Sequence, residues 1–284
     1  MRSLTVQDAG PLTTVQDAGR PGWAHLGVPR AGALDRPAAD LANRLVGNDI
    51  SAAVLETTLG GVAFTVSEAM TVAVTGTEAA VTVNHRAVAS AEPVAVRAGA
   101  TVRVGQAVRG VRCYVAIAGG LGVEPVLGSR STDTLAYVGP APLRDGAVLP
   151  VGAPLGAPSA VDVGSVRRFV RPAVLRMHPG PRSDWFSGDV LATLTSTSYT
   201  VTGDSNRVGL RLDGPALARI RHDELPSEGI VLGAVQVPPS GQPLVFLNDH
   251  PTTGGYPVVG VVDPHDLWQC AQLRPGDEIR FTRR

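Results

Sequence analysis

The sequence predicts a mainly β protein with a few short helices, on three observations. The 284 residues include 33 glycines and 23 prolines, so turn residues punctuate the chain throughout. Between them lie short runs rich in Val and Thr, residues suited to a pleated, half-buried surface. Several of these runs alternate apolar and small polar residues with the period of two that a strand requires. Many short strands separated by turns build sandwiches or barrels.

In "MTVAVTG" (Met70–Gly76), Met70, Val72 and Val74 alternate with Thr71, Ala73 and Thr75, and "ATVRVG" (Ala100–Gly105) alternates likewise. "VRCYVAIAGG" (Val111–Gly120) is apolar on both faces, as expected of a strand covered on both sides. Further along, "TVTGDSNRVGLRL", "GIVLGAVQVP", "PLVFLND", "PVVGVV" and "DEIRF" continue the pattern. One helix is expected from Asp35 to about Val46, with Asp35 as N-cap, Leu34, Ala38, Leu41, Ala42 and Leu45 as its apolar stripe, and Gly47 as its stop. A second is expected from Asp263 to about Leu273, with Pro264 at its first position and Pro275-Gly276 ending it. The stretch Leu149–Ser165, low in charge and rich in Pro, Gly and Ala, marks a domain boundary and divides the chain into 1–160 and 161–284.

Composition narrows the chemistry. The 25 basic residues, all arginine, balance 25 acidic ones, which argues against nucleic acid or an anionic membrane as main partner. The absence of lysine excludes a phosphate-loop lysine, a Schiff-base lysine and a biotinylated lysine on this chain. Cys113 and Cys270 stand alone in apolar stretches without metal or redox spacing, and read as buried thiols. The "DPHD" at Asp263–Asp266 has no second cluster to complete a ligand set, so no metal site is expected. There is no cationic leader followed by an apolar stretch and no apolar run of spanning length, so a cytoplasmic location is expected.

Four stretches carry polar groups beside glycine. The hexapeptide Thr-Val-Gln-Asp-Ala-Gly occurs twice, at Thr5–Gly10 and Thr14–Gly19, and the second copy runs on into Arg20 and Gly22. Gln16, Asp17 and Arg20 could read a ligand that approaches the glycine backbone, or simply stabilise a loop through an Asx turn. In "GSRSTD" (Gly128–Asp133), Ser129, Arg130, Ser131 and Thr132 suit a carboxylate or phosphate, or cap a helix. Arg182, Arg207 and Arg211 could form an anion clamp, or separate ion pairs. "SEGIVLGAVQVPPSGQPLVFLNDHPTTGGYP" (Ser227–Pro257) is densest, with Gln236, Asp249, Thr252, Thr253 and Tyr256 among its polar groups. Asp249, just past a strand, is a candidate for proton transfer, although no spacing fixes a partner for it.

In this order, "TTVQDAGRPGWAHLGVPRAGALD", "LGSRSTD", "SNRVGLRL", "GAVQVPPSGQP" and "TTGGYP" resemble the KipA / allophanate hydrolase subunit 2 family, whose members are also called the 5-oxoprolinase C subunit or biotin-dependent carboxyltransferase-like proteins. The resemblance spans nearly the whole chain. It implies two cyclophilin-like β-barrel domains and a place in a heteromer with a KipI-like protein, the counterpart of the 5-oxoprolinase B subunit. A lactam-utilisation protein, the counterpart of the A subunit, would complete ATP-dependent opening of 5-oxoproline to glutamate. The alternatives it carries are a carboxyltransferase half acting on urea, with biotin on a separate chain, and a non-catalytic antagonist of a KipI-like kinase inhibitor. It marks the second hexapeptide as the family motif. On the residues themselves, Asp17 and Asp249 are the candidates for proton handling, and Gln16, Arg20, Ser129, Arg130, Ser131, Thr132, Arg207, Gln236, Thr252, Thr253 and Tyr256 for substrate. Two departures stand out: Pro140 where the family commonly has arginine, with Arg144 nearby, and His250-Pro251 before the Thr-Thr pair.

Overall fold

A computed structural model describes residues 2–158 and 169–284. The boundary expected near residue 160 lies outside the described residues. Contacts divide the chain into one unit of Met1–Arg20, Ala31–Asp133 and Tyr137–Arg168, and a second of Pro21–Arg30, Thr134–Ala136 and Phe169–Arg284. The second unit thus draws two short segments from the first half of the sequence.

The first unit is built from two sheets. One has six strands in the order Val148–Pro150, Ser3–Asp8, Ala63–Val66, Thr101–Ala107, Ala79–Val83, Arg86–Val88. The other has five, Leu12–Gln16, Val54–Thr58, Arg112–Ile117, Met70–Gly76, Val94–Val96. Leu4, Val6, Phe64, Val102 and Val104 of the first sheet and Val15, Leu55, Val72, Val74, Val115 and Ile117 of the second form one buried core. This unit is therefore two facing sheets, while the closed barrel expected from the family resemblance is found in the second unit. The strand Arg112–Ile117 is buried along its whole length, as its sequence predicts. Cys113, Val115 and Ile117 enter the core between the sheets, and Tyr114 and Ala116 meet helix α1 on the outer face.

Helix α1, Arg36–Leu45, starts where the sequence places it. Asp35 caps it by accepting from the Ala38 N–H at 3.1 Å, with Pro37 in the first turn. Its approach is fixed by a buried polar network. The Leu34 N–H donates to Glu56 Oε2 at 2.9 Å, the Asp35 N–H to the Tyr114 hydroxyl at 2.7 Å, and that hydroxyl to Glu56 Oε2 at 2.8 Å. Arg112 pairs with Glu56 at 3.4 Å, so the buried carboxylate keeps a counter-charge. Burial, then the Glu56 charge, pushes the Tyr114 phenol well above its ordinary range, which keeps it a donor.

The second unit is a seven-stranded closed barrel: Ala173–Pro179, Val258–Val262, Ala234–Gln236, Leu244–Phe246, Gly209–Asp213, Ser198–Val201 and Glu278–Arg283, the last pairing in parallel with the first. Closure leaves no open edge in that sheet. Helix α2, Val190–Ser196, was not expected from the sequence. Asp189 caps it, accepting from Leu191 and Ala192 at 3.0 Å each, and Val190, Leu191 and Leu194 are buried. The helix expected from Asp263 is reduced to α3, Leu267–Cys270. The would-be caps are engaged elsewhere: Asp263 holds Arg284 and closes a turn with the His265 N–H at 2.9 Å, and Asp266 takes the Arg176 guanidinium through both oxygens at 2.8 Å.

Candidate functional site

The two copies of the repeated hexapeptide share a local structure and then part. Asp8 accepts from the Gly10 N–H at 3.0 Å and Asp17 from the Gly19 N–H at 2.8 Å, the same Asx turn in both. The strands leading into them lie in opposite sheets. Asp8 ends at the surface, half-exposed beside Arg103 at 3.1 Å, whereas Asp17 is buried.

Asp17 is wrapped by the Gly128–Asp133 loop. Its Oδ1 also accepts from the Ser129 and Ser131 hydroxyls at 2.6 Å each, and its Oδ2 from the Arg130 N–H at 2.6 Å. The Asp17 N–H donates to Ser131 Oγ at 2.9 Å, and the Ser131 N–H to Ser129 Oγ at 3.0 Å. The Thr132 N–H reaches the Val15 carbonyl at 2.9 Å, and Gln16 Nε2 the Thr132 carbonyl at 3.0 Å. Two motifs more than 100 residues apart in sequence therefore form one cradle, and the carboxylate occupies the place that the loop alone would offer to an anion. No helix follows the loop, so the capping alternative is set aside. Arg20, buried, donates to the Ser131 carbonyl and supplies positive charge. Gly139 makes room for that contact: its φ is +94°, and a Cβ there would fall 2.2 Å from the Ser131 carbonyl oxygen. Pro140 follows it directly, while Arg144 is exposed. The Arg130 side chain turns back to the Val123 carbonyl at 2.7 Å. Two groups in the cradle keep open bonding capacity: Gln16 Oε1 and Thr132 Oγ1, both buried, have no hydrogen-bond partner among the described residues.

In the second unit, the Asp249 carboxylate is fully buried and engaged at both oxygens. Arg207 pairs with it through Nε and Nη2 at 2.9 Å each, and Thr134 donates to Oδ2 from its N–H at 2.9 Å and its hydroxyl at 2.7 Å. Thr134 carries no sequence signal beyond its place after the Ser-Thr-Asp run, and its partner is 115 residues away. The geometry is that of a pin between the Thr134–Ala136 segment and the barrel, with three of the four donors on Oδ2 and one on Oδ1. The three-arginine clamp does not assemble: Arg207 is taken by Asp249, Arg182 pairs with Glu228, and Arg211 is exposed on its strand. His250 is buried, with its ring 6.1 Å from that of Phe246.

Thr252, Thr253 and Tyr256 lie beside a two-stranded ribbon in which Glu228–Gly229 pairs with Thr253–Gly254. Gln236 donates to the Tyr256 carbonyl at 3.0 Å, holding the turn from below. An open groove of about 610 Å³ is lined by Glu224, Leu225, Pro226, Ser227, Gly255 and Tyr256. Among the described residues, no group of His, Cys, Asp and Glu could hold a metal ion, and no helix is long and apolar enough to cross a membrane.

A mainly β chain with a closed barrel and these motif loops fits the carboxyltransferase domains. The chain belongs to that family: the model for "Carboxyltransferase domain, subdomain A and B" matches residues 26–283. It is 36% identical to the 5-oxoprolinase C subunit of Escherichia coli, over 99% of this chain and 91% of that protein. It is 32% identical to the urea amidolyase of Saccharomyces cerevisiae over 96% of this chain, which spans only 16% of that one. Among solved structures, TTHA0988 matches at 39% identity with a TM-score of 0.90, covering 99% of this chain and 56% of that one. The Kluyveromyces lactis urea carboxylase matches at 31% identity with a TM-score of 0.92, over 99% of this chain and 27% of that one.

Proposed function

We propose that this chain is the C subunit of a 5-oxoprolinase-type complex, in which it works with a KipI-like chain, the counterpart of the B subunit, and a lactam-utilisation chain, the counterpart of the A subunit, to open 5-oxoproline to glutamate in an ATP-dependent reaction. The observation that carries this reading is the near full-length match, in both directions, to the Escherichia coli protein. A carboxyltransferase half acting on urea or a similar amide is the second reading, favoured by the family model and by the urea amidolyase match. Biotin attachment and a phosphate loop both call for lysine, which the sequence lacks, and the cradle's backbone and hydroxyl donors are taken up by Asp17. Any biotin is therefore carried on a companion chain, and ATP enters at the level of the complex.

Within that reading, Gln16 and Thr132 are the groups of the cradle that meet substrate. An amide presents an N–H and a carbonyl, and the free Gln16 Oε1 and Thr132 Oγ1 supply an acceptor and a hydroxyl donor for them. Asp17 and Arg20 hold these two groups in place, while Asp249 and Arg207 fix the segment that follows. The test is glutamate formation by the reconstituted complex with each chain omitted in turn. Activity should require all chains and ATP. Full ATP-dependent turnover without this chain would remove it from the catalytic unit and bring the antagonist reading forward.

A further inference from the structure

Gly229 is a residue its own unit does not need. Most described glycines either adopt positive φ or sit where a Cβ would press on a neighbour. Gly229 does neither: its φ lies outside the positive range, and a Cβ built on it meets nothing within 4 Å. Glycine within a strand weakens it, and without a turn or an internal contact to require it, the missing side chain makes room for something else.

The ribbon's register shows what faces outward there. Antiparallel partners alternate between pairs that exchange hydrogen bonds and pairs that do not. The Ile230 N–H donates to the Thr252 carbonyl at 2.9 Å, so Ile230 and Thr252 are a bonded pair. Glu228 and Gly254, two positions along, are another, and Gly229 and Thr253 between them are not. The Gly229 N–H and carbonyl therefore point away from Thr253, to the ribbon's outer edge, at an exposed residue. Unlike the barrel, this ribbon is a two-stranded sheet, and among the described residues no further strand pairs with either edge. The open groove lined by Pro226, Ser227 and the half-exposed Tyr256 adjoins it, since Ser227 precedes Glu228 and Gly255 follows Gly254.

We infer that the Glu228–Gly229 edge takes an extended segment of the companion polypeptide as a third strand. The Gly229 N–H and carbonyl would bond its backbone, and one of its alternating side chains would lie in the groove against Pro226 and Tyr256. An open groove beside a free strand edge fits an extended chain better than an enclosed small ligand. The exposed Glu224 at the rim favours a neutral or basic residue there. The solved relative TTHA0988, of which this chain covers 56%, carries such a module joined to further polypeptide. The inference rests on the heteromer reading above and adds where and how the second chain attaches.

The experiment uses the full chain and its KipI-like companion, co-purified. Hydrogen exchange is compared between the free chain and the complex across Ser227–Ile230 and Thr252–Tyr256, and affinity is measured for the native chain and for Gly229→Val. Exchange at the Gly229 amide should slow at least tenfold in the complex. Gly229→Val puts a branched side chain on the open face beside that edge and should weaken affinity at least tenfold, with the barrel's thermal transition retained. A native-affinity complex with unchanged exchange at the ribbon overturns the attachment site and leaves the heteromer standing. Failure of the two chains to associate at micromolar concentration overturns the heteromer reading, and the attachment site with it. The exchange measurement needs no variant, so it decides the matter even if Gly229→Val does not fold.

Discussion

Replacing Asp249 with alanine separates an anchoring carboxylate from a proton-handling one. The substitution strips the buried Arg207 guanidinium of a carboxylate held through two contacts at 2.9 Å. It also strips the Thr134 N–H and hydroxyl of their acceptor. Removing one partner of a buried ion pair costs about 3–5 kcal/mol, because the other charge is left in low dielectric. Thr134 is only half-buried and can turn to water, so it adds little, and about 4 kcal/mol is the expected loss. Set against the roughly 5–15 kcal/mol that holds a domain folded, this is a large fraction. With a urea slope of about 2 kcal/mol/M, the midpoint should fall by about 2 M. All three tryptophans lie in the second unit, so tryptophan fluorescence follows the barrel's unfolding directly. Arg207→Met should cost a similar amount. The double variant Arg207→Met/Asp249→Leu should recover at least half the loss, since an apolar pair of similar volume removes the orphaned charge. A midpoint for Asp249→Ala within about 0.3 M of native, with turnover of the assembled complex abolished, would refute the anchoring role and return Asp249 to acid–base work.

The repeated hexapeptide offers a matched pair of substitutions. Asp17→Ala removes a carboxylate that takes four donors and should destabilise the first unit by about 3 kcal/mol, while Asp8→Ala, at the exposed copy, should change stability by less than about 0.5 kcal/mol; chemical denaturation of both checks the contrast. Cys113, whose thiol burial pushes up to about 12, should resist a thiol reagent at pH 8 in the native protein and react fully once unfolded. The sign of its linkage follows: the folded state keeps the proton that the unfolded state loses near 9, so stability falls as pH rises from about 9 toward 12, and Cys113→Ala should flatten that limb. The Arg176 hydrogen bond holds the Asp266 carboxyl below its usual range, so its contribution is present above the ordinary carboxylate pKa and is lost as pH falls through the lowered value; Asp266→Asn should flatten the acid limb of a stability–pH curve.

What the sequence made legible was local. The Asp35 cap and the two-faced apolar run at Arg112–Ile117 stand where their patterns place them, because capping and strand burial are written within a few residues. The second helix was over-read for the same reason. Asp263 and Pro264 make a sound local start, but Arg284 and Arg176, distant in sequence, compete for the acidic side chains, and one short turn of helix remains. The sequence marks Gln16–Asp17 and Ser129–Thr132 each as candidate ligand readers, and no spacing in it shows that they are one another's partners. Thr134 was missed entirely, since a threonine after two polar residues has no pattern of its own.

That mutual partnering changes where chemistry is to be sought. A general base needs an open lone pair within hydrogen-bond reach of the proton it takes. Asp17 accepts four hydrogen bonds and Asp249 another four, so both carboxylates hold loops, and any proton transfer would have to use the less occupied oxygen of each. The arginines beside them are likewise engaged, Arg20 on the Ser131 carbonyl and Arg207 on Asp249. Charged residues flanking glycine are what draw attention in the sequence, and here their charge builds the frame. Within the loops described, neutral groups also face no partner among the described residues: an amide oxygen at Gln16 and a hydroxyl at Thr132. Neutral donors and acceptors suit a neutral amide, and they suit another chain's backbone. Such groups do not by themselves activate an unstrained amide, which agrees with the proposal that this chain acts as part of a complex.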